Sequence, residues 1–316
     1  MGSKSTGSRM LRLCTVTALA CLTVTSARAD FAAMIKDMAD SAMAEYRRID
    51  AAAKATVARE RGDGTCAARA AGLSARLDEA VRLARLSADI YNHPQTLEMK
   101  RQGVTRESWR DELDRRVTAY RDPVSEGYAE VVEDGDTLIV VFLGTRLVSF
   151  KDVMTDVAQM SGTLPVKYRW ASALVEQMRQ RFPGQRLVVT GHSLGGGLSM
   201  YAALHHPVEA VAFNPAGLSP VILSEIPAAQ QVAAGQRTAS FIARSGAAIE
   251  PVSAVSLAGD TSIVGRRYLV DIGTVLTPLK RHDAFRLANT LESLAARKGS
   301  LAASSICDND LGFERH

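Results

Sequence analysis

The sequence predicts an α/β fold: a mostly parallel sheet covered by helices on both faces, with an N-terminal helical extension. Three observations carry this expectation. Strand-like and helix-like patterns alternate after Gly127, the order that a sheet with crossover helices requires. The apolar run Arg186-Leu187-Val188-Val189-Thr190 passes through Gly191-His192-Ser193-Leu194-Gly195 directly into helical pattern from Leu194 to Leu204. Residues 31–60 are alanine-rich, with Phe31, Ile35, Met38, Ala42, Tyr46, Ile49 and Ala53 on one helical stripe.

In chain order, residues 1–29 read as a leader rather than as part of the fold. Lys4, Arg9 and Arg12 precede 14 uncharged, mainly apolar residues from Leu13 to Ser26, and Ala27-Arg28-Ala29 supplies the small residues of a cleavage site. A membrane-spanning helix needs roughly 20 apolar residues, so a removed signal peptide is expected, with lipid modification at Cys21 as the alternative. Residues 30–70 form the helical extension, broken at Arg61-Gly62-Asp63-Gly64, and residues 71–316 form the main domain. That domain opens with a helix from Ser74, an N-cap candidate, to Tyr91, ended by Asn92-His93-Pro94.

Strands follow at 127–133 and 137–143, flanking the turn dipeptide Asp134-Gly135 of a β-hairpin. Helical pattern returns at 150–160 and 166–181, before the strand that leads into Ser193. The strand at 209–213 stops at Asn214-Pro215, and Ser219-Pro220 reads as N-cap and first position of a helix. Strands at 239–243 and 267–272 and a helix at 282–298 complete the pattern.

The full chain carries 38 basic and 34 acidic residues, but the leader holds Lys4, Arg9, Arg12 and Arg28 and no acid. The mature chain is therefore 34 against 34, and its charge gives no reason to expect nucleic acid as a partner. No other stretch is apolar enough to span a membrane. Removal of the leader leaves Cys66 and Cys307, which can form one disulfide in an exported chain or remain two thiols. Their spacing fits no zinc motif, and neither metal nor other cofactor is expected. Oligomeric state is left open.

Gly-x-Ser-x-Gly between a strand and a helix is the pattern of a nucleophile elbow, where a sharp turn projects a serine hydroxyl from the top of a sheet. Ser193 then needs a base to take its proton and a third group to hold that base. Among the six histidines, His192 lies inside the elbow, His205 and His206 close its helix, His93 precedes the strand-rich region and His316 ends the chain. His282, after the last strand, remains as the base. The acid should lie between residues 193 and 282 and follow a strand end. Glu209 precedes its strand, Glu225 sits in a helix and Asp271 lies within a strand. That leaves Glu250, favoured, and Asp260.

Oxyanion donors are expected from the main-chain N–H of Leu194 and from the end of an earlier strand, Phe142-Leu143-Gly144-Thr145. This segment, with Asp152, Thr155-Asp156 and Gly191-His192-Ser193-Leu194-Gly195-Gly196, resembles the class 3 lipase family over roughly residues 75–295. The resemblance implies an α/β-hydrolase-like sheet, an oxyanion role for Thr145 and an acid in the segment Glu250-Pro251-Val252-Ser253, where the family usually has aspartate. The expected activity is hydrolysis of carboxylic esters of lipids, with transient contact at a lipid surface, by an exported protein. A serine peptidase or amidase on the same fold, and a non-catalytic binding module derived from it, are the alternatives. Residues 147–160 place Leu147, Phe150, Val153, Met154, Val157 and Met160 on one helical face, readable as a lid or as a permanently buried helix.

Overall fold

The computed structural model describes residues 40, 44, 47–48, 51–52, 66–93, 95–145, 166–245, 248–257, 261–275, 277–296 and 313–314. The chain divides into two compact units, Met1–Arg48 and Ile49–His316. In the first, the described residues Asp40, Ala44, Arg47 and Arg48 are helical. The leader, the cleavage site, Cys307, Asp260 and the segment 147–160 lie outside the described residues.

The second unit opens with α1 (Cys66–Asp89) and α2 (Gln95–Gln102). Strands β1 (Arg106–Arg110), β2 (Arg116–Asp122), β3 (Gly127–Asp134) and β4 (Thr137–Phe142) form an antiparallel meander. Helix α3 (Val166–Arg181) leads to β5 (Arg186–His192), α4 (Leu194–His205) and β6 (Glu209–Phe213). Two further helices, α5 (Pro220–Ser224) and α6 (Ala228–Arg237), precede β7 (Thr238–Ser245) and the short β8 (Ala248–Ile249). The rest comprises α7 (Pro251–Leu257), β9 (Arg266–Asp271), α8 (Pro278–Arg281), α9 (Ala284–Ala296) and the two-residue β10 (Phe313–Glu314).

All strands join one sheet in the order β1-β2-β3-β4-β5-β6-β7-β9-β10, with β8 paired to β7 off that path. From β4 through β5, β6 and β7 to β9 every pairing is parallel. Such strands need apolar residues on both faces, because crossover helices cover both. Leu138, Val140 and Phe142 of β4, with Leu187 and Val189 of β5, face a core built with α3, α4 and α6. Ile139 and Val141, with Val188 and Val211, face the opposite core, built with α1 and α9. Leu77, Leu83, Leu287 and Leu291 are fully enclosed there; burying each such side chain contributes ~1.5–3 kcal/mol. The sheet and its two covered faces have the architecture of an α/β-hydrolase-like fold.

Local chemistry explains the element ends. Asp134 pairs with Thr137 across a two-residue loop whose first residue, Gly135, takes φ +58°, a conformation glycine adopts freely. Ser219 caps α5, its Oγ accepting from the Ile222 N–H at 3.3 Å, with Pro220 in the first turn. Departures from the sequence reading include the start of α1 and the strands β1 and β2. The helix expected from Ser74 begins at Cys66, because Ala67, Ala68, Ala70 and Ala71 favour helix, so residue 70 lies inside α1. β1 and β2 were not expected. β1 is a largely exposed edge strand of charged residues, Arg106-Glu107-Ser108-Trp109-Arg110, without the apolar alternation that marks a half-buried strand.

Candidate active site

The parallel strands end in register, with Phe142 opposite Gly191, His192 opposite Phe213 and Phe213 opposite Phe241. Loops following these ends therefore meet at one edge of the sheet. Ser193 sits between β5 and α4 with φ +59° and ψ −125°, a region that a residue with a Cβ rarely enters. Such a conformation costs about 1–3 kcal/mol and persists only where its surroundings fix it. Here Ser193 N–H donates to the Phe213 carbonyl at 3.0 Å, while its own carbonyl accepts from Ala216 N–H at 3.0 Å and Gly197 N–H at 3.2 Å. The residue is 4% exposed.

Close approach of backbone explains the flanking glycines. A Cβ on Gly191 would lie 2.5 Å from the Gly195 carbonyl carbon and 2.7 Å from the Phe142 oxygen. One on Gly144 would overlap the Tyr91 hydroxyl and the His192 carbonyl oxygen. The end of β4 is thus seated against the elbow, with Thr145 the next residue and partly buried. Leu194 opens α4, and the first N–H groups of a helix have no acceptor within it. Two segments able to donate to a developing negative oxygen therefore converge beside Ser193.

Glu250 and His282, which precede and follow β9 in the chain, are brought together. Glu250 follows β8 and His282 caps α8. His282 Nδ1 lies 2.6 Å from Glu250 Oε2, with the side chains 3% and 0% exposed. The carboxylate also caps α7: Val252 N–H donates to Oε2 at 3.0 Å and Ser253 N–H to Oε1 at 2.6 Å. Glutamate suits this place, since its extra methylene lets one carboxylate face the imidazole and turn back onto its own helix. A helix N-terminus also favours negative charge. The Glu250 contact leaves Nε2 as the other ring nitrogen, buried and without a hydrogen-bond partner among the described residues, Ser193 Oγ included.

The neighbouring His192 packs on His282, the two ring centroids 4.5 Å apart. Burial, then the adjacent His282, hold His192 well below the usual imidazole range, outweighing the His282 main chain, which favours its proton. The acid loop is braced from β6. Asn214, at φ +44°, accepts the Ala243 N–H on Oδ1 at 2.7 Å, Ala243 in turn accepts the Glu250 N–H at 3.0 Å, and Ser253 Oγ donates to Pro215 at 3.0 Å.

Other acids considered from the sequence lie elsewhere. Glu209 forms a two-pronged pair with Arg186 at 2.8 Å, and Asp271 lies 3.1 Å from Arg244. His206, beyond the far end of α4, meets Ser172 Oγ at 2.8 Å. Among the described residues, no group of three or more His, Cys, Asp or Glu could hold a metal ion, and no helix is long and apolar enough to cross a membrane. Sequence reasoning missed Tyr91, Asn214 and the role of His192. Asn214-Pro215 was visible only as a strand terminator, and no local signal marks Tyr91.

The phospholipase-like family model described as a Tle-like phospholipase domain matches residues 82–300. An extracellular phospholipase A1 of Serratia liquefaciens is 36% identical over 98 residues, which is 31% of this chain and 30% of that protein. The match thus spans under a third of that relative's length. Among solved structures, a triacylglycerol lipase from Penicillium expansum is 13% identical with a TM-score of 0.39, over 63% of this chain and 81% of that one. The native Rhizomucor miehei lipase propeptide complex is 16% identical with a TM-score of 0.37, over 62% and 68%.

Proposed function

The chain belongs to the Tle-like phospholipase domain family, a class 3 lipase-like family, and from that premise we propose that it is a serine hydrolase of lipid esters. The observation that carries this reading is the buried 2.6 Å contact of Glu250 with His282 beside a serine held in a strained turn. Ser193 Oγ attacks the ester carbonyl as His282 Nε2 takes its proton. Glu250 fixes the imidazole's tautomer and stabilises the imidazolium. Thr145 and the Leu194 N–H bind the oxyanion of the tetrahedral intermediate. Its collapse expels the alcohol, protonated by His282, and leaves an acyl-enzyme that water cleaves by the same steps in reverse order.

The substrate class we assign is the acyl ester of a phospholipid, with triacylglycerol second; the Serratia relative's name supports that order. The proposed organisation is a leader, residues 1–29, removed on export, then the extension 30–70 and the hydrolase domain 71–316, acting in transient contact with a lipid surface. Vesicles of phosphatidylethanolamine and an emulsion of trioleoylglycerol, each digested and analysed by mass spectrometry, test the reading. Release of fatty acid and lysophospholipid is expected. Cleavage of peptide substrates with both lipids intact would overturn it.

Thr145→Ala is expected to lower kcat ~10²- to 10³-fold with KM nearly unchanged, because an oxyanion donor acts mainly in the transition state. Thr145→Ser, which keeps the hydroxyl, should retain much of the rate. A rise in KM alone in the alanine variant would make Thr145 a substrate-binding residue instead.

A further inference from the structure

Beyond the end of α1 the chain makes a turn, Ile90 to His93, tied to the helix by Ile90, Tyr91 and Asn92 N–H groups donating to Leu86, Ala88 and Asp89 carbonyls. Tyr91 reaches from this turn to the elbow. Its hydroxyl lies 3.2 Å from His192 Nδ1 and 3.4 Å from the His192 carbonyl oxygen, with the two rings nearly perpendicular at 5.8 Å. The same hydroxyl occupies the space that a side chain on Gly144 would need. One oxygen thus touches the residue before the nucleophile, the ring behind the base and the strand end that precedes Thr145.

The turn is anchored on its outer side. His93 Nδ1 lies 2.8 and 2.9 Å from the two carboxylate oxygens of Glu130, which is 3% exposed, and Tyr128 OH donates to that carboxylate at 2.9 Å. The Trp109 ring stands perpendicular to His93 at 6.2 Å. A buried carboxylate requires such a partner, because an uncompensated charge at that position is strongly destabilising.

We propose that Tyr91, clamped by the His93–Glu130 pair, is a positioning residue that fixes His192 and, through the His192 ring, the orientation of His282. This rests on the hydrolase reading above. The His282 ring is held at Nδ1 by Glu250, and rotation about that contact would change where Nε2 points. The His192 ring, its centroid 4.5 Å from that of His282 and tilted 45° to it, limits that rotation only while His192 is itself held. Tyr91 holds it through two contacts of one hydroxyl, at the His192 ring Nδ1 and at the His192 carbonyl oxygen.

The clamp has a pH dependence whose sign follows from its parts. Hydrogen bonding to Glu130 raises the His93 pKa above the ordinary histidine value, against burial, with further support from the Glu130, Asp89 and Asp111 charges. Tyr128, from β3, is the other titratable group on the pair, and Trp109, from β1, is uncharged. The charged pair is complete below that raised pKa and is lost as pH climbs through it.

The test uses p-nitrophenyl butyrate with wild type, Tyr91→Phe, His93→Gln and Ser193→Ala. Tyr91→Phe should lower kcat roughly ten- to a hundred-fold with KM changed less than about two-fold, as expected when a reacting group is misplaced by less than about 1 Å. His93→Gln keeps a neutral hydrogen bond to Glu130, so it should fold, approach the wild-type rate near neutrality and lose the wild type's alkaline decline in kcat. It also decides the matter if Tyr91→Phe fails to fold. Wild-type kcat in Tyr91→Phe, or an unchanged alkaline limb in His93→Gln, overturns the proposal. If wild type hydrolyses the ester and Ser193→Ala does not, the hydrolase reading stands whichever way the clamp falls. If wild type hydrolyses no ester, that reading fails and histidine ¹⁵N spectra decide the clamp. A single His192 tautomer that becomes mixed or changes in Tyr91→Phe supports it; identical spectra overturn it.

Discussion

Ser193→Ala is expected to remove ester turnover, lowering kcat by ~10⁴- to 10⁶-fold, the scale seen when a triad nucleophile is deleted. The effect should be purely chemical. Alanine has the same Cβ as serine and experiences the same strain at φ +59°, and the bonds that fix the turn are all made by backbone atoms. Thermal unfolding should therefore match wild type. A fluorophosphonate should label wild type at Ser193 and leave the variant unlabelled. Retained activity with labelling at another serine would end the elbow assignment.

Replacing Glu250 should produce the second large effect, and it has two separable components. Glu250→Ala removes the carboxylate that orients His282, which is expected to lower kcat by up to ~10⁴-fold. It also removes the cap of α7, a loss of about 0.5–2 kcal/mol, and strips a partner from a buried imidazole. Glu250→Gln separates the two: it retains the shape and an oxygen for the cap, so stability should largely return while kcat stays low. Asp260→Ala, measured alongside, should have a mild effect. The reverse ranking would move the acid to Asp260, and two mild losses would reduce the site to Ser193 and His282.

The legible parts of this molecule are those whose cause is local. The elbow, the strand behind it, the glycine before Thr145 and the Ser219-Pro220 cap each follow from a few adjacent residues. Chain order narrowed the base to His282 but left two acids, because both follow β7 and nothing nearby separates them. The carboxylate that meets the imidazole depends on how β7 and β9 pair, with Ala239 opposite Arg266, which is a long-range property. Excluding His93 as a base left its pairing with Glu130, 37 residues away, undetected. The Tyr91 contact joins residues 101 apart and leaves no periodic trace. Edge strand β1 escaped notice for the opposite reason: exposure freed it from the apolar pattern that identifies strands.

The three groups of the site are mounted on supports of unequal firmness. Ser193 precedes α4, in which every residue from Gly195 to Leu204 is buried between the sheet and neighbouring helices. Such a segment can open only when the whole domain does. His282 hangs from α8, four residues long, reached through the turn at Gly273 and Thr274, which are exposed, and Glu250 stands at the head of the seven-residue α7. α8, short and approached through exposed residues, can open by itself at much lower free energy, whereas Pro251 to Val255 of α7 are buried. On the proposed triad, warming or mild denaturant is therefore expected to release His282 while Ser193 stays in place. Loss of ester turnover is then expected to begin as a reversible, local event, well before the domain melts.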